Sequence, residues 1–434
     1  MTDSTRAAAR SSHVYPVDLV RVLTFGAVIA VHTISTVNPL DSVPGDAVVM
    51  LLHFTREAFF FLTAFVLVHR YGYNTVRARP FWRRRFLLVG VPYVVWSLIY
   101  SAIGLAAAPQ PVGEATITVL RSLSNGMAWF HLYFLLVSLQ FYLVFPLFQW
   151  LLRVTRGRHL ALLAVSAALQ VVIDLQLHDA APTGLKAALA PYLGSFVFSY
   201  QFFLLLGGLA ALHRARLDAW VRRHPRTVLA AFVVTGVAAE GQYLWSLRHG
   251  VAAEFASDVF QPVMIPWSVA VVAVYYALGA AWADRRAGGP ASRFVERAAD
   301  RSFGVFLVHP VILWLLTAAG PTSPAAHVPA PWNSVAVYLV AVVASLLIVE
   351  LVRLTPLSLA MTGKRRARPA RAQPLTSGAA PAPAPPATEP VIEPVIEPVT
   401  EPATEPDLTN RRIQQPRRTS PDVVHQGADP RRAT

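Results

Sequence analysis

Long apolar runs constrain this chain more than anything else in it. A helix needs about 20 mostly apolar residues to cross a hydrocarbon core. Ten such runs can be read, at 15–37, 47–69, 86–108, 127–152, 159–177, 188–212, 227–247, 260–283, 302–319 and 333–355. A soluble domain carries about 25% charged residues, whereas only 14% of these 434 residues are charged and 54% are hydrophobic. That much apolar surface has no aqueous fold to bury it. The expected fold class is an all-α polytopic membrane protein, a bundle of about ten transmembrane helices. The first run carries Asp18 and Arg21 and lacks a well-placed small-residue cleavage site, so it reads as a retained span and not a signal peptide. Pro92, Pro146, Pro191, Pro266 and Pro310 lie within or beside runs, which a bundle tolerates where neighbours satisfy the freed carbonyls.

The charge is +14, from 38 Lys and Arg against 24 Asp and Glu. A nucleic-acid binder would stripe its arginines along one soluble face; here they cluster between apolar runs, which argues against a nucleic-acid partner. Alternate loops hold them: Arg70 to Arg85, Arg153 to Arg158, Arg214 to Arg226, Arg285 to Arg301 and the stretch from Lys364. The intervening loops collect Asp41, Asp46, Glu114, Asp179, Glu254 and Asp258. Positive loops stay on the cytoplasmic side, so both termini are expected in the cytoplasm. Lys364 to Arg371 forms a basic cluster suited to anionic membrane lipids. Beyond it, EPVIEPVIEPVTEPATEP places a proline at every fourth residue, which forbids a helix and predicts a disordered tail. The expected division is a short cytoplasmic tail over 1–13, a transmembrane domain over 14–358, and a basic, then Pro/Ala/Glu-rich tail over 359–434.

Several chemistries lack their residues. With no cysteine there is no disulfide, thiolate nucleophile or cysteine-ligated metal. Phosphate-cradling glycine loops, HExxH and GxSxG are missing, and no metal site is expected. Ionisable residues inside spans are costly and mark function. In the first span, Arg21 and His32 are eleven residues apart, which on a helix returns to the same face within about 20° and advances about 16 Å. Asp18, one turn from Arg21, is placed to hold it. The plainer reading is an interfacial Asp18–Arg21 pair, which leaves His32 unexplained. Arg56 in the second span either pairs with Glu57 and outside solvent or faces the same cavity as His32. Trp129 and Tyr133 read as an aromatic belt. His309, beside Pro310, either serves the site or hydrogen-bonds a carbonyl.

Taken in order, these features resemble the acyltransferase-3 family of multi-span bacterial membrane acyltransferases. Asp18-x-x-Arg21 with His32 opens the first span, and Phe59-Phe60-Phe61-Leu62-Thr63-Ala64-Phe65 follows in the second. Arg83-Arg84-Arg85-Phe86 precedes Pro92-Tyr93; His131 to Phe134 and Tyr142 to Pro146 bracket a later span; Ser302 to Pro310 matches near the end. Thr63-Ala64 replaces the family's usual Ser-Gly, and Leu88 stands where a second arginine often follows Arg85 by three. The resemblance implies an O-acyltransferase of the cell membrane whose co-substrate, not resident cofactor, is acyl-coenzyme A (acyl-CoA), acetyl-CoA foremost. Arg83, Arg84 and Arg85 would hold its phosphates. His32 would be the base or acyl carrier, Arg21 would steer the donor, and Asp18, Arg56 and His309 would support them. The acceptor would be a carbohydrate hydroxyl of a glycan, lipid-linked sugar or glycosylated metabolite. The competing class is an exporter that moves such a molecule unaltered, with His32 as a proton relay.

Overall fold

The computed structural model describes residues 14–39, 41–178, 183–286, 288–320 and 327–366. The short N-terminal tail and the proline-rich repeat lie outside the described residues. What is described is helical: α1 (Tyr15–Val37), α2 (Val43–Leu52), α3 (Phe54–Tyr71), α4 (Ala78–Arg85), α5 (Val91–Ala107), α6 (Val112–Asn125), α7 (Tyr133–Val154), α8 (His159–Leu177), α9 (Gly184–Leu193), α10 (Gln201–Leu212), α11 (Arg214–Arg223), α12 (Pro225–Arg248), α13 (Ala253–Ala256), α14 (Met264–Arg285), α15 (Pro290–Thr317), α16 (Trp332–Arg353) and α17 (Ser358–Thr362).

Nine spans among the described residues are long and apolar enough to cross a membrane, against the ten expected. The difference lies at 188–212. There the chain breaks after α9, runs through a 3-10 turn at Val197–Tyr200, and continues as the short α10. Such a break survives in an apolar setting only if its backbone groups find partners. Gln140 Nε2 donates to Ser195 O at 2.7 Å, and Val197 N donates to Gln140 Oε1 at 3.0 Å. Gln170 Nε2 donates to Ser199 O at 2.8 Å, and the Tyr200 hydroxyl donates to Gly194 O. Two glutamines on neighbouring helices therefore hold a kinked segment where a plain span was expected. Gly207 lets α10 lie directly on α3, since a Cβ there would come within 2.1 Å of Phe61 O.

The layering follows from which helix faces are apolar all round. The α8 and α12 spans are only 17% buried and show leucines and valines outward, as a lipid-facing rim would. The α2–α3 and α15 spans are 67% and 61% buried, and α1 packs against both α14 and α15. Thus α1, α3 and α15, which carry the Arg21/His32 face, the phenylalanine run and His309, form the centre. Between α4 and α5 the helix widens into a π turn at Phe86–Gly90. Pro92, just inside α5, has no N–H to give and its ring crowds the preceding turn, which favours such a local widening.

The expected boundary at 358 falls inside a packed segment. Ser358 and Thr362 are buried, and Trp96 Nε1 of α5 donates to Met361 O at 3.0 Å. The packing continues past 358 as far as Lys364, whose backbone carbonyl accepts from Ser358 Oγ at 2.7 Å.

Candidate active site

The site can be followed along α1 from its arginine-rich end. Asp18 is buried, and its carboxylate lies within electrostatic reach of Arg21 one turn on. Arg21 itself is half-buried. Tyr142 of α7 lies within reach of both Arg21 and Arg85. The three arginines of the loop part ways: Arg83 and Arg84 are exposed, whereas Arg85 turns inward over the Phe81 and Tyr142 rings, each at 5.6 Å. Its buried Nε has no hydrogen-bond partner.

One turn beyond Arg21, an aromatic layer fills the axis. Phe25 lies edge-on to Phe306 at 5.7 Å and to Phe59 at 6.1 Å. Phe59 stacks on Phe306 at 5.9 Å and meets Phe134 edge-on at 5.3 Å. This is where the phenylalanine run of α3 finds its use.

Two turns further, three imidazoles meet. The His32 ring stacks on His309 at 5.4 Å with 24° between planes, and lies 4.4 Å from Phe130. His131 meets His309 at 5.6 Å, Phe306 at 5.0 Å and Tyr100 at 5.3 Å, all edge-on. His309 Nδ1 faces the Val305 carbonyl at 3.3 Å. A ring nitrogen facing a carbonyl must carry the proton, which leaves the lone pair on Nε2, and Nε2 is buried without a partner. His131 is fully buried, and neither of its ring nitrogens has a partner. An unsatisfied buried polar group costs about 1–3 kcal/mol, a cost that a bound molecule pairing with these nitrogens would offset. Trp129 is half-buried, and its ring stacks at 4.9 Å on Tyr100, the ring that lies edge-on to His131. Sequence reading placed His131 in a motif and gave it no role in the site. The clue was a histidine directly beside aromatic residues at a span start.

Past His32, the last turn of α1 opens on a cavity of about 630 Å³. Ser35 of α1 and Asn38, which caps its end, line it with His53, Asp46, Glu254 and Asp258. His53 Nδ1 is fixed at 2.8 Å from Ser257 O. Arg56 does not join the histidines. Its Nε and Nη2 donate to Glu57 Oε1 at 3.0 and 2.8 Å, and its guanidinium lies 4.0 Å from the Phe260 ring and 5.0 Å from that of Tyr200. Of the two sequence readings, the pair with Glu57 is the one formed, buried and not facing solvent.

The arrangement has a cationic end, an aromatic middle, a cluster of partner-free imidazole nitrogens and an acidic open chamber. Among the described residues no group of three histidines or carboxylates is placed to hold a metal ion. Chemistry built from these parts moves protons or acyl groups at imidazole and binds anions at the arginines. No curated protein and no solved structure matches the chain. The family model described as an acyltransferase domain matches residues 14–350, from the start of α1 to the end of α16. The chain belongs to the acyltransferase-3 family of membrane acyltransferases.

Proposed function

We propose that the protein takes an acyl group, acetyl foremost, from acyl-CoA on the cytoplasmic side and transfers it to a carbohydrate hydroxyl arriving from the other face of the cell membrane. The observation that carries this reading is the shared face of α1. Arg21 stands at the arginine-rich end, His32 lies about 16 Å deeper, and His32 stacks on His309, whose Nε2 is free. Both termini are cytoplasmic in this reading, which requires the short α10 segment to complete a tenth crossing. At 1.5 Å per residue, the apolar stretch Val197–Leu212 reaches about 24 Å, and α9 ahead of it would supply the rest of a core about 30 Å thick.

The steps follow from charge and reach. The phosphates of the coenzyme stay with Arg85 and Arg21, because moving them through hydrocarbon is prohibitive. Only the uncharged pantetheine arm passes the phenylalanine layer. His32 takes the proton of the acceptor hydroxyl as its oxygen attacks the thioester carbonyl, and His131 donates a hydrogen bond to the oxyanion that forms. The carbon–sulfur bond breaks, and the coenzyme thiolate leaves with the proton that His32 holds. The acceptor occupies the acidic chamber beside His53.

Purified protein given acyl-CoA with and without a simple glycoside tests the reading. Coenzyme A release that depends on the glycoside, with an acylated sugar in the mass spectrum, is the expected result. Movement of a glycoside across vesicles without thioester cleavage would make the protein a carrier instead. The division among the three loop arginines gives a second expectation. Arg85→Gln should raise the KM for donor about 10- to 100-fold, the loss of one charge-assisted hydrogen bond of about 1.5–3 kcal/mol. The exposed Arg83 changed to Gln should shift KM less than twofold. An unchanged donor KM in both variants would make the loop a topology signal only.

A further inference from the structure

The sequence places Lys364 at the start of a lipid-facing basic tail; the fold docks it, half-buried, against the bundle. After α16 the chain folds back through α17 and reverses at Gly363, whose φ is +65°. A Cβ at this position would come within 2.4 Å of Leu88 O and 2.7 Å of the Phe303 ring. Both the backbone conformation and the space therefore call for glycine. Lys364 emerges from this turn against Asp300 of α15, and its Nζ contacts Asp300 Oδ1. The same carboxylate accepts from Arg301 at 2.9 Å and Arg353 at 2.5 Å, while Glu350 takes a second bond from Arg301 at 2.6 Å.

Cations outnumber anions here. Asp300 and Glu350 serve Arg301, Arg353 and Lys364, and Arg21, held by Asp18, is close enough to repel the lysine. Burial and that repulsion push the Lys364 ammonium down to about 8. Arg85, with its orphaned Nε, approaches the same region through Tyr142. The turn also rests on Leu88, the position at which the arginine-rich loop lacks a further cation. A partly buried excess of positive charge on several elements is stabilised by an incoming polyanion, and a lysine serves phosphate as a movable point charge.

We infer that the Gly363–Lys364 turn is part of the donor site, with Lys364 leaving Asp300 to contact the phosphates of acyl-CoA beside Arg21 and Arg85. The inference rests on the proposed donor; Lys364 itself is a binding residue and takes no part in bond breaking. Asp300 holds the ammonium in place until the phosphate arrives.

The test is direct binding of free coenzyme A to the full-length protein in detergent, followed by calorimetry, so that turnover and acceptor are not needed. Lys364→Gln should weaken binding at least tenfold, and Lys364→Arg should recover most of it. Asp300→Asn should tighten binding several-fold, because it releases the ammonium; a turn that was only structural would not gain affinity from this change. The exposed Arg366→Gln should bind as wild type does. If Lys364→Gln lowers thermal stability while its Kd matches wild type, or if Asp300→Asn fails to tighten binding, the turn is an ion-pair clasp and the inference is wrong. If wild-type protein binds no coenzyme A, the donor reading itself falls and takes this inference with it.

Discussion

Changing His32 to alanine is expected to lower acyl transfer about 10²- to 10⁴-fold, the usual contribution of a positioned general base. The imidazole stacks on His309, lies tilted against Phe130 and is only partly buried, so its removal leaves the helix contacts of α1 in place. Expression, membrane insertion and monodispersity should match wild type. The check is the initial rate of acceptor-dependent coenzyme A release, normalised to folded protein. A well-folded His32→Ala protein that still transfers at the wild-type rate would remove His32 from the chemistry.

The second large effect is expected at His131, and it couples activity to stability in opposite senses. As a hydrogen-bond donor to the oxyanion, His131 should contribute about 10²- to 10³-fold to kcat. Both of its ring nitrogens are buried without partners. His131→Leu fills nearly the same apolar space among Phe306, Tyr100 and Phe130 while removing those orphans, which should leave the thermal midpoint unchanged or raise it. KM for the donor should move little, since the proposed phosphate site is at the far end of α1. Retained kcat with a lowered thermal midpoint would make His131 a packing residue.

Much of this was legible in the sequence because helical periodicity is local. The Arg21–His32 face needs nothing but 3.6 residues per turn, and the spans need only composition. The match of an acyltransferase domain over 14–350 confirms the family that the ordered motifs suggested. What the sequence hides depends on distant partners. The break ahead of α10 is held by Gln140, whose contact Ser195 is 55 residues away, and an apolar run by itself reads as one span. His131 sits at a helix start crowded with aromatic residues, a composition shared by interfacial belts, so only its burial against His309 tells it apart. Arg83, Arg84 and Arg85 are chemically alike in sequence; the register of α4 and the π turn alone decides that Arg85 faces inward. Lys364 opens a stretch whose composition says tail, yet one glycine turn seated on Leu88 returns it to the bundle.

The central claim is that donor and acceptor meet at His32 from opposite sides. Sealed inside-out membrane vesicles, given acetyl-CoA labelled in the acetyl group, test it most directly. The account predicts that label enters carbohydrate enclosed within the vesicles, resistant to added glycosidase until detergent opens them, and that His32→Ala vesicles incorporate none. Label that appears on carbohydrate open to the enzyme without detergent, or incorporation that proceeds equally well in right-side-out vesicles, would contradict a site fed from both faces.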